Sequence, residues 1–363
     1  MAAPLPAPVP RPGSLSVRNL AVPVLLSVAA LGAILYFTYE PGVFGLLAAS
    51  LRPGLLALAL VALVAQLAFG GLRLRYISHG VVPFRMGVRA QLAWEFMSAV
   101  TPSAIGGAPL ASYFVAKDNG ISVGSATAMM LFSMLLDQVW FALTIPAILV
   151  ATAFIDVFPP ALGEVGAGTL TAYFLVLLAF TGFFAYATVI RPEVIEGAMA
   201  WVTRRRWLRR FEARVAEEMV RLKEQAKALR GQPPGFFVVG TALASGVWLF
   251  RYLFLLFLAW SVTPGLAWTT FLFRTGALWL TALAVPTPGG SGGMEGLFVL
   301  FLAPLLPPGF SGPVLLVWRL LSYHLFLVLG LFVTSHTIRT VVSARRADAR
   351  ADARAEAAPS SSR

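Results

Sequence analysis

The stretch QLAWEFMSAVTPSAIGGAPLASYFVA (residues 91–116) decides the fold. It is apolar at both ends, and Pro102 with the Gly106-Gly107 pair breaks its middle. Each arm is roughly 10–14 residues, little more than half of the ~20 that cross a bilayer as a helix. The spacing therefore predicts a re-entrant helical hairpin, not two crossings. The same build recurs in AWTTFLFRTGALWLTALAVPTPGGSGGMEGLFVLFLAP (267–304), where TPGGSGG (287–293) echoes TPSAIGG (101–107). Irregular backbone at membrane depth is tolerated only where it is buried in protein or lines a cavity. Thr101, Pro102, Gly106 and Gly107 form one predicted tip; Pro286, Pro288, Gly289, Gly290, Gly292 and Gly293 form the other.

The composition places these hairpins in a membrane. Of 363 residues, 58% are hydrophobic and 12% charged, with a mean hydropathy of +0.79, far outside the soluble range. Runs such as 21–37, 55–71 and 171–190 are long and apolar enough to span. The first could in principle be a signal peptide, but its length and the absence of a small-residue cleavage site favour a retained span. The net charge of +12 comes from Arg-rich segments between or beyond the apolar runs, which points to topology and anionic lipid contact, not nucleic acid. With no cysteine and three isolated histidines, no metal site or cofactor is expected.

The basic residues assign sides. Arg11 and Arg18 precede the first span; Arg73, Arg75, Arg85 and Arg89 follow the second; others crowd 191–230 and follow Ile338. Placing all of them in the cytoplasm, with both termini, satisfies the positive-inside rule for a cell-membrane protein. The order is then two spans, a hairpin entering from inside and a third span (125–154), followed by two spans (171–190, 236–260), a hairpin entering from outside and a last span (314–338). The fold class expected is an all-α polytopic membrane protein with about six full spans and two re-entrant hairpins, as an inverted-topology repeat. MLLDQ (134–138) and RLLSY (319–323) fall at nearly the separation of the two tips, which agrees. The alternative is that the Pro and Gly residues serve only close helix packing. Residues 1–19 read as a disordered N-terminus, 20–165 as the first membrane repeat and 166–338 as the second. The second carries a cytoplasmic amphipathic insert at 191–232, and 339–363 form a basic disordered tail.

Ionisable residues inside apolar spans are costly and suggest function. Here they are Glu95, Asp137, Arg251, Arg274, Glu295, Arg319 and His324. Arg251 and Arg319 offer planar donor forks for a phosphate, with Glu295 to orient an arginine or exchange with the phosphate. The bland readings stand beside these. In them Asp137 is a structural ion pair with Arg251 or Arg319, Arg274 snorkels to the headgroups, Glu95 is interfacial, His324 makes a helix-to-helix hydrogen bond, and Tyr113 and Tyr323 are packing residues. No metalloprotease, nucleophile-elbow, Walker or dinucleotide fingerprint is present, so no catalytic residue is assigned.

TPSAIGGAPLASYFVA with LLDQVWFAL, and PTPGGSGGMEGLFVLFL with WRLLSYHLFLVLG, resemble the integral-membrane domain of lysylphosphatidylglycerol synthases and the related stand-alone flippase-like proteins. The resemblance covers about residues 20–338. It implies translocation of a polar lipid between leaflets, known in the family for aminoacylated phosphatidylglycerol. Pro286, Pro288, Gly289, Gly290, Gly292, Glu295, Arg319 and Tyr323 match the family's P-x-P-G-G-x-G-x-x-E and R-x-x-x-Y motifs. Two departures stand out. No aminoacyl-transferase domain follows, so lipid synthesis is not expected. Phe132, Ser133 and Met134 stand where family members often carry Arg or Glu-Arg, which leaves the first half without that basic contact. The expectation is a bacterial flippase for a polar or anionic phospholipid, with membrane phospholipids as partners and the oligomeric state open. The rivals are a membrane-embedded lipid-modifying transferase or accessory subunit, and a transporter of a small anion.

Overall fold

A computed structural model describes residues 41–101, 107–186 and 231–335, with isolated positions in 25–36 and 220–228 and at 337. The predicted N-terminal segment 1–19, most of the span at 21–37, most of the insert 191–232, the tail 339–363 and the tip residues Pro102 and Gly106 lie outside the described residues. Among the described residues every regular element is helical: α1 (Val43–Ser50), α2 (Pro53–Ile77), α3 (Phe84–Val100), α4 (Ala108–Asn119), α5 (Val123–Ala151), α6 (Gly163–Ala185), α7 (Pro234–Val262), α8 (Trp268–Ala282), α9 (Gly293–Phe301) and α10 (Ser311–Ser335). Five of these are long and apolar enough to cross a membrane, namely α2, α5, α6, α7 and α10. The chain is a polytopic α-helical membrane protein.

The spans begin and end a little away from the predicted positions. α5 stops at Ala151, after which 152–154 form a turn. α6 starts at Gly163, eight residues ahead of the span read at 171–190. Its first turns, GEVGAG, are poor in strong helix formers, so the helix onset was hidden in the sequence.

Two helix pairs too short to span occupy the places the broken apolar runs predict: α3 with α4, and α8 with α9. α2 and α7 pack along each other in antiparallel fashion. Arg52 N–H at the start of α2 donates to Ser261 O near the end of α7 (2.7 Å), Phe69 packs on Phe250 and Tyr76 stacks on Phe236. Glycine permits the approach, for a Cβ on Gly246 would lie 2.1 Å from the Phe69 ring. α2 and α3 cross as closely, with a Cβ on Gly87 only 2.5 Å from Gly71 O. Small residues at such crossings substitute van der Waals contact for the hydrophobic driving force that lipid removes.

The interior has two apolar clusters. One, containing Phe141, Phe254, Phe271, Phe298 and Trp318, joins α5 and α7–α10. The other, containing Phe96, Met130, Phe132 and Phe236, joins α3–α5 with α7. Tyr323 of α10 belongs to the second cluster and Trp318 to the first, so α10 passes between them. At that junction the two hairpin tips meet. Gly107 N–H donates to Ser98 Oγ (3.1 Å), closing the first tip onto α3, and Gly289 N–H donates to Thr101 O (3.3 Å), seating the second tip on the end of α3. Gly289 has φ +60°, and a Cβ there would fall 2.4 Å from Tyr323 Cε2 and 3.0 Å from Ala99 O. Backbone conformation and space both require glycine at that position.

Candidate functional site

Three arginines are buried where the tips meet, each beside a carboxylate from another helix. Arg319 of α10 donates through Nε to Glu295 Oε1 (2.8 Å). Glu295, 0% exposed, is held from its other side by Gly292 N–H, which donates to Oε2 (2.8 Å). The Gly-rich tip thus does two things: it ends in a helix N-terminus whose free N–H groups favour negative charge, and it aims a carboxylate at Arg319. The Arg319 guanidinium lies 4.2 Å from the centre of the Tyr323 ring, and Ser291 Oγ donates to Tyr323 Oη (3.2 Å). Arg319 is 3% exposed, and its Nη2 has no hydrogen-bond partner among the described residues.

α10 changes winding here. Leu320–His324 form a single π-helical turn, with His324 Nδ1 3.1 Å from Arg319 O. Such turns are frequent at functional sites. Arg319 and Tyr323, four residues apart, share the face of α10 on which it falls.

Arg251 of α7 pairs with Glu95 of α3. Its guanidinium lies 4.9 Å from the centre of the Trp248 ring and 4.8 Å from that of Trp279, two rings that pack edge to face with each other. Glu95 Oε1 also accepts from Gln91 Nε2 (3.0 Å) and Gln66 Nε2 (3.4 Å). The third pair is Arg73 of α2 with Asp137 of α5 at 2.6 Å. Trp248 Nε1 donates to the same Asp137 oxygen (3.0 Å), Arg73 Nη2 donates to Gln91 Oε1 (3.4 Å), and Trp94 lies under the guanidinium at 5.0 Å.

Two small cavities adjoin these groups. One, of about 40 Å³, is lined by Arg251, Trp279, Gly289, Arg319 and Tyr323 among others. The second, of about 20 Å³, is lined by Arg73, Gln91, Trp94, Asp137 and Trp248 among others. Glu95, Ser98 and Arg251 line both.

Of the residues singled out in the sequence, Arg251, Arg319, Glu295 and Tyr323 come together around the larger of the two cavities or beside it, with Gly289 in its lining and Thr101 accepting from Gly289. Asp137 lies at the neighbouring cavity and pairs with Arg73, not with Arg251 or Arg319. Arg73, read as one of the cytoplasmic charges after the second span, is instead inside α2 and 1% exposed. The sequence LRLR held a signal for this: Arg73 and Arg75 are two apart, and a helix cannot present both on one face. Arg274 does not snorkel. It is 4% exposed, donates from Nε to Asp156 O (2.8 Å) and from Nη1 to Phe301 O (3.2 Å), and so ties α8 to the segment after α5 and the end of α9. Glu95 is not an interfacial charge but the partner of Arg251.

Fold and site together define a polytopic helical membrane protein with a cluster of intramembrane charge pairs. The chain belongs to the family described as the lysylphosphatidylglycerol synthase TM region, which matches residues 22–330. It is also similar to a "UPF0104 membrane protein" from Archaeoglobus fulgidus, with 23% identity over 299 residues that cover 77% of this chain and 87% of that protein. Membership in the family supports a function connected with membrane lipids.

Proposed function

We propose that the protein translocates a polar or anionic phospholipid between the leaflets of the cell membrane, with both termini cytoplasmic. The observation that carries this reading is the seat of the second hairpin tip on the first, Gly289 on Thr101, at the cavity that holds Arg251 and Arg319. The headgroup phosphate engages these arginines, which present bidentate forks, while the acyl tails stay in the bilayer. The carboxylates make the exchange possible. An arginine in a low-dielectric interior needs a counter-charge at all times, and Glu295 and Glu95 supply it until the phosphate takes their place. When Glu295 is displaced, the N-terminus of α9 adds a partial positive charge for the phosphate to face.

The larger cavity, at about 40 Å³, has room for a few waters and not for a phosphoglycerol headgroup. Entry therefore needs the tips to part, and in this reading the two halves rock about the site. The antiparallel packing of α2 against α7, which hold equivalent places in the two halves, supports the inverted arrangement. Family membership supports the lipid as cargo.

The test is leaflet exchange of fluorescent phosphatidylglycerol and neutral-lipid analogues in liposomes holding the purified protein. It is run beside Glu295→Gln/Arg319→Gln, which removes one of the two charge pairs at the cavity without leaving a charge unpaired. Exchange that the double variant abolishes is the expected result. Exchange at the rate of protein-free liposomes, from protein with an intact unfolding transition, would overturn the reading.

A further inference from the structure

We propose a second phosphate subsite at Arg73, so that a lipid headgroup crosses the site in two steps with Arg251 common to both. The proposal rests on the translocation reading above and adds where the phosphate goes after Arg319. Arg73 and Arg319 stand at the far ends of two cavities that share Glu95, Ser98 and Arg251. At each end one guanidinium nitrogen is buried without a partner among the described residues, Nη2 on Arg319 and Nε on Arg73. Buried donors of a charged group are normally satisfied, so two orphans, one on the arginine that lines the far end of each cavity, mark two side chains whose hydrogen bonding an oxyanion would complete.

The surroundings of Arg73 repeat those of Arg251. Each guanidinium has one carboxylate partner and lies against indole, Trp94 for Arg73 and Trp248 with Trp279 for Arg251. The two arginines come from α2 and α7, the antiparallel spans. Gln91 touches both sites, donating to Glu95 and accepting from Arg73. A phosphate that displaces Glu95 from Arg251 is thereby placed beside the cavity of Arg73. Displacing Asp137 from Arg73 completes the second step, with Trp248 N–H still bonded to Asp137 so that the carboxylate keeps a donor. Headgroup selectivity should then depend on Arg73, although it lies outside the sequence motifs.

The experiment uses the full chain in liposomes with fluorescent phosphatidylglycerol, comparing the unsubstituted protein, Arg73→Lys and Arg73→Met/Asp137→Leu. Lysine keeps the charge and the pair with Asp137 but loses the fork, and the apolar double variant leaves no charge unpaired. Two quantities are read: the leaflet-exchange rate, and the rise in unfolding temperature caused by short-chain phosphatidylglycerol, which reports binding. The expected result is exchange slowed about 10- to 100-fold in both variants, the worth of a hydrogen bond to a charged group, with the lipid-induced stabilisation retained because Arg251 and Arg319 still bind. Wild-type exchange in Arg73→Lys would overturn the proposal. So would joint loss of stability, binding and exchange in that variant, the signature of a purely structural ion pair. Should the double variant fail to fold, Arg73→Lys decides alone. Absence of exchange in the unsubstituted protein would instead bring down the translocation reading itself.

Discussion

Gly289→Ala tests the contact on which the site is built, and Gly120→Ala is its control. Both glycines have left-handed backbone, with φ +60° and +63°, so alanine imposes about the same strain at each, roughly 1–2 kcal/mol. They differ in what a Cβ meets. At Gly120, past the end of α4, nothing lies within 4 Å. At Gly289 the Cβ lies 2.4 Å from Tyr323 Cε2 and 3.0 Å from Ala99 O. The ring cannot simply swing away, for Arg319 covers one face and Ser291 holds its hydroxyl. Forcing an extra methyl into a packed site costs about 1–3 kcal/mol more. At roughly 2 °C per kcal/mol for a chain of this size, Gly289→Ala should melt about 2–6 °C below Gly120→Ala in the same detergent. Lipid exchange should fall only in Gly289→Ala. Equal midpoints for the two variants would refute the seating of the second tip on the first, and with it the site as described.

Two further outcomes are expected. Glu295→Ala should destabilise by about 3–5 kcal/mol because it strands the Arg319 charge in the interior, with about 1 kcal/mol more from the lost bond to Gly292 N–H; Glu295→Gln, whose amide oxygen can still accept that bond, should lose less, and equal losses in denaturant unfolding would count against the capping role. For topology, the chain has no cysteine of its own, so Val81→Cys (54% exposed) and Ala267→Cys, in the loops that follow the antiparallel α2 and α7, can be labelled singly with an impermeant maleimide. They should react from opposite faces of the membrane, and labelling from one face would refute the crossing of both helices.

The helical hairpins were legible because the sequence carries two independent signals for them, arms too short to span and a Pro-Gly break between. The members of the second tip were legible for the same reason, since Gly289 and Glu295 sit within a dense motif. Arg73 was not. It ends an apolar run and sits among Arg75, Arg85 and Arg89, where a positive-inside pattern absorbs every arginine alike. Whether Arg73 or Arg75 turns inward depends on the rotation of α2 about its axis, and that is fixed by the Gly70–Gln91 and Gly71–Gly87 crossings, not by hydropathy. Pairing was illegible for a similar reason. Asp137 had several arginines within reach of a guess, and only the tertiary arrangement puts Arg73 against it while Arg251 goes to Glu95. The absence of Arg or Glu-Arg at 132–134 was read as leaving the first half without that basic residue, whereas Arg73 of the preceding span brings a buried cation to Asp137 of α5.

The distribution of the pairs says which contacts must break if the proposed halves move. Arg73–Asp137 lies wholly within 20–165 and Glu295–Arg319 wholly within 166–338, whereas Glu95–Arg251 joins the two. Thr101–Gly289 and Asp137–Trp248 cross the same divide. Rocking one half against the other would therefore leave two arginines neutralised and release the third, the one both cavities share. A buried guanidinium released from its carboxylate is costly unless another anion arrives. Motion without a headgroup is thus opposed by the charge of Arg251, and motion with a phosphate bound to it is not. That coupling needs a buried ion pair at the divide. An apolar contact of the same volume would hold the halves together at least as well but could not tell a loaded site from an unloaded one.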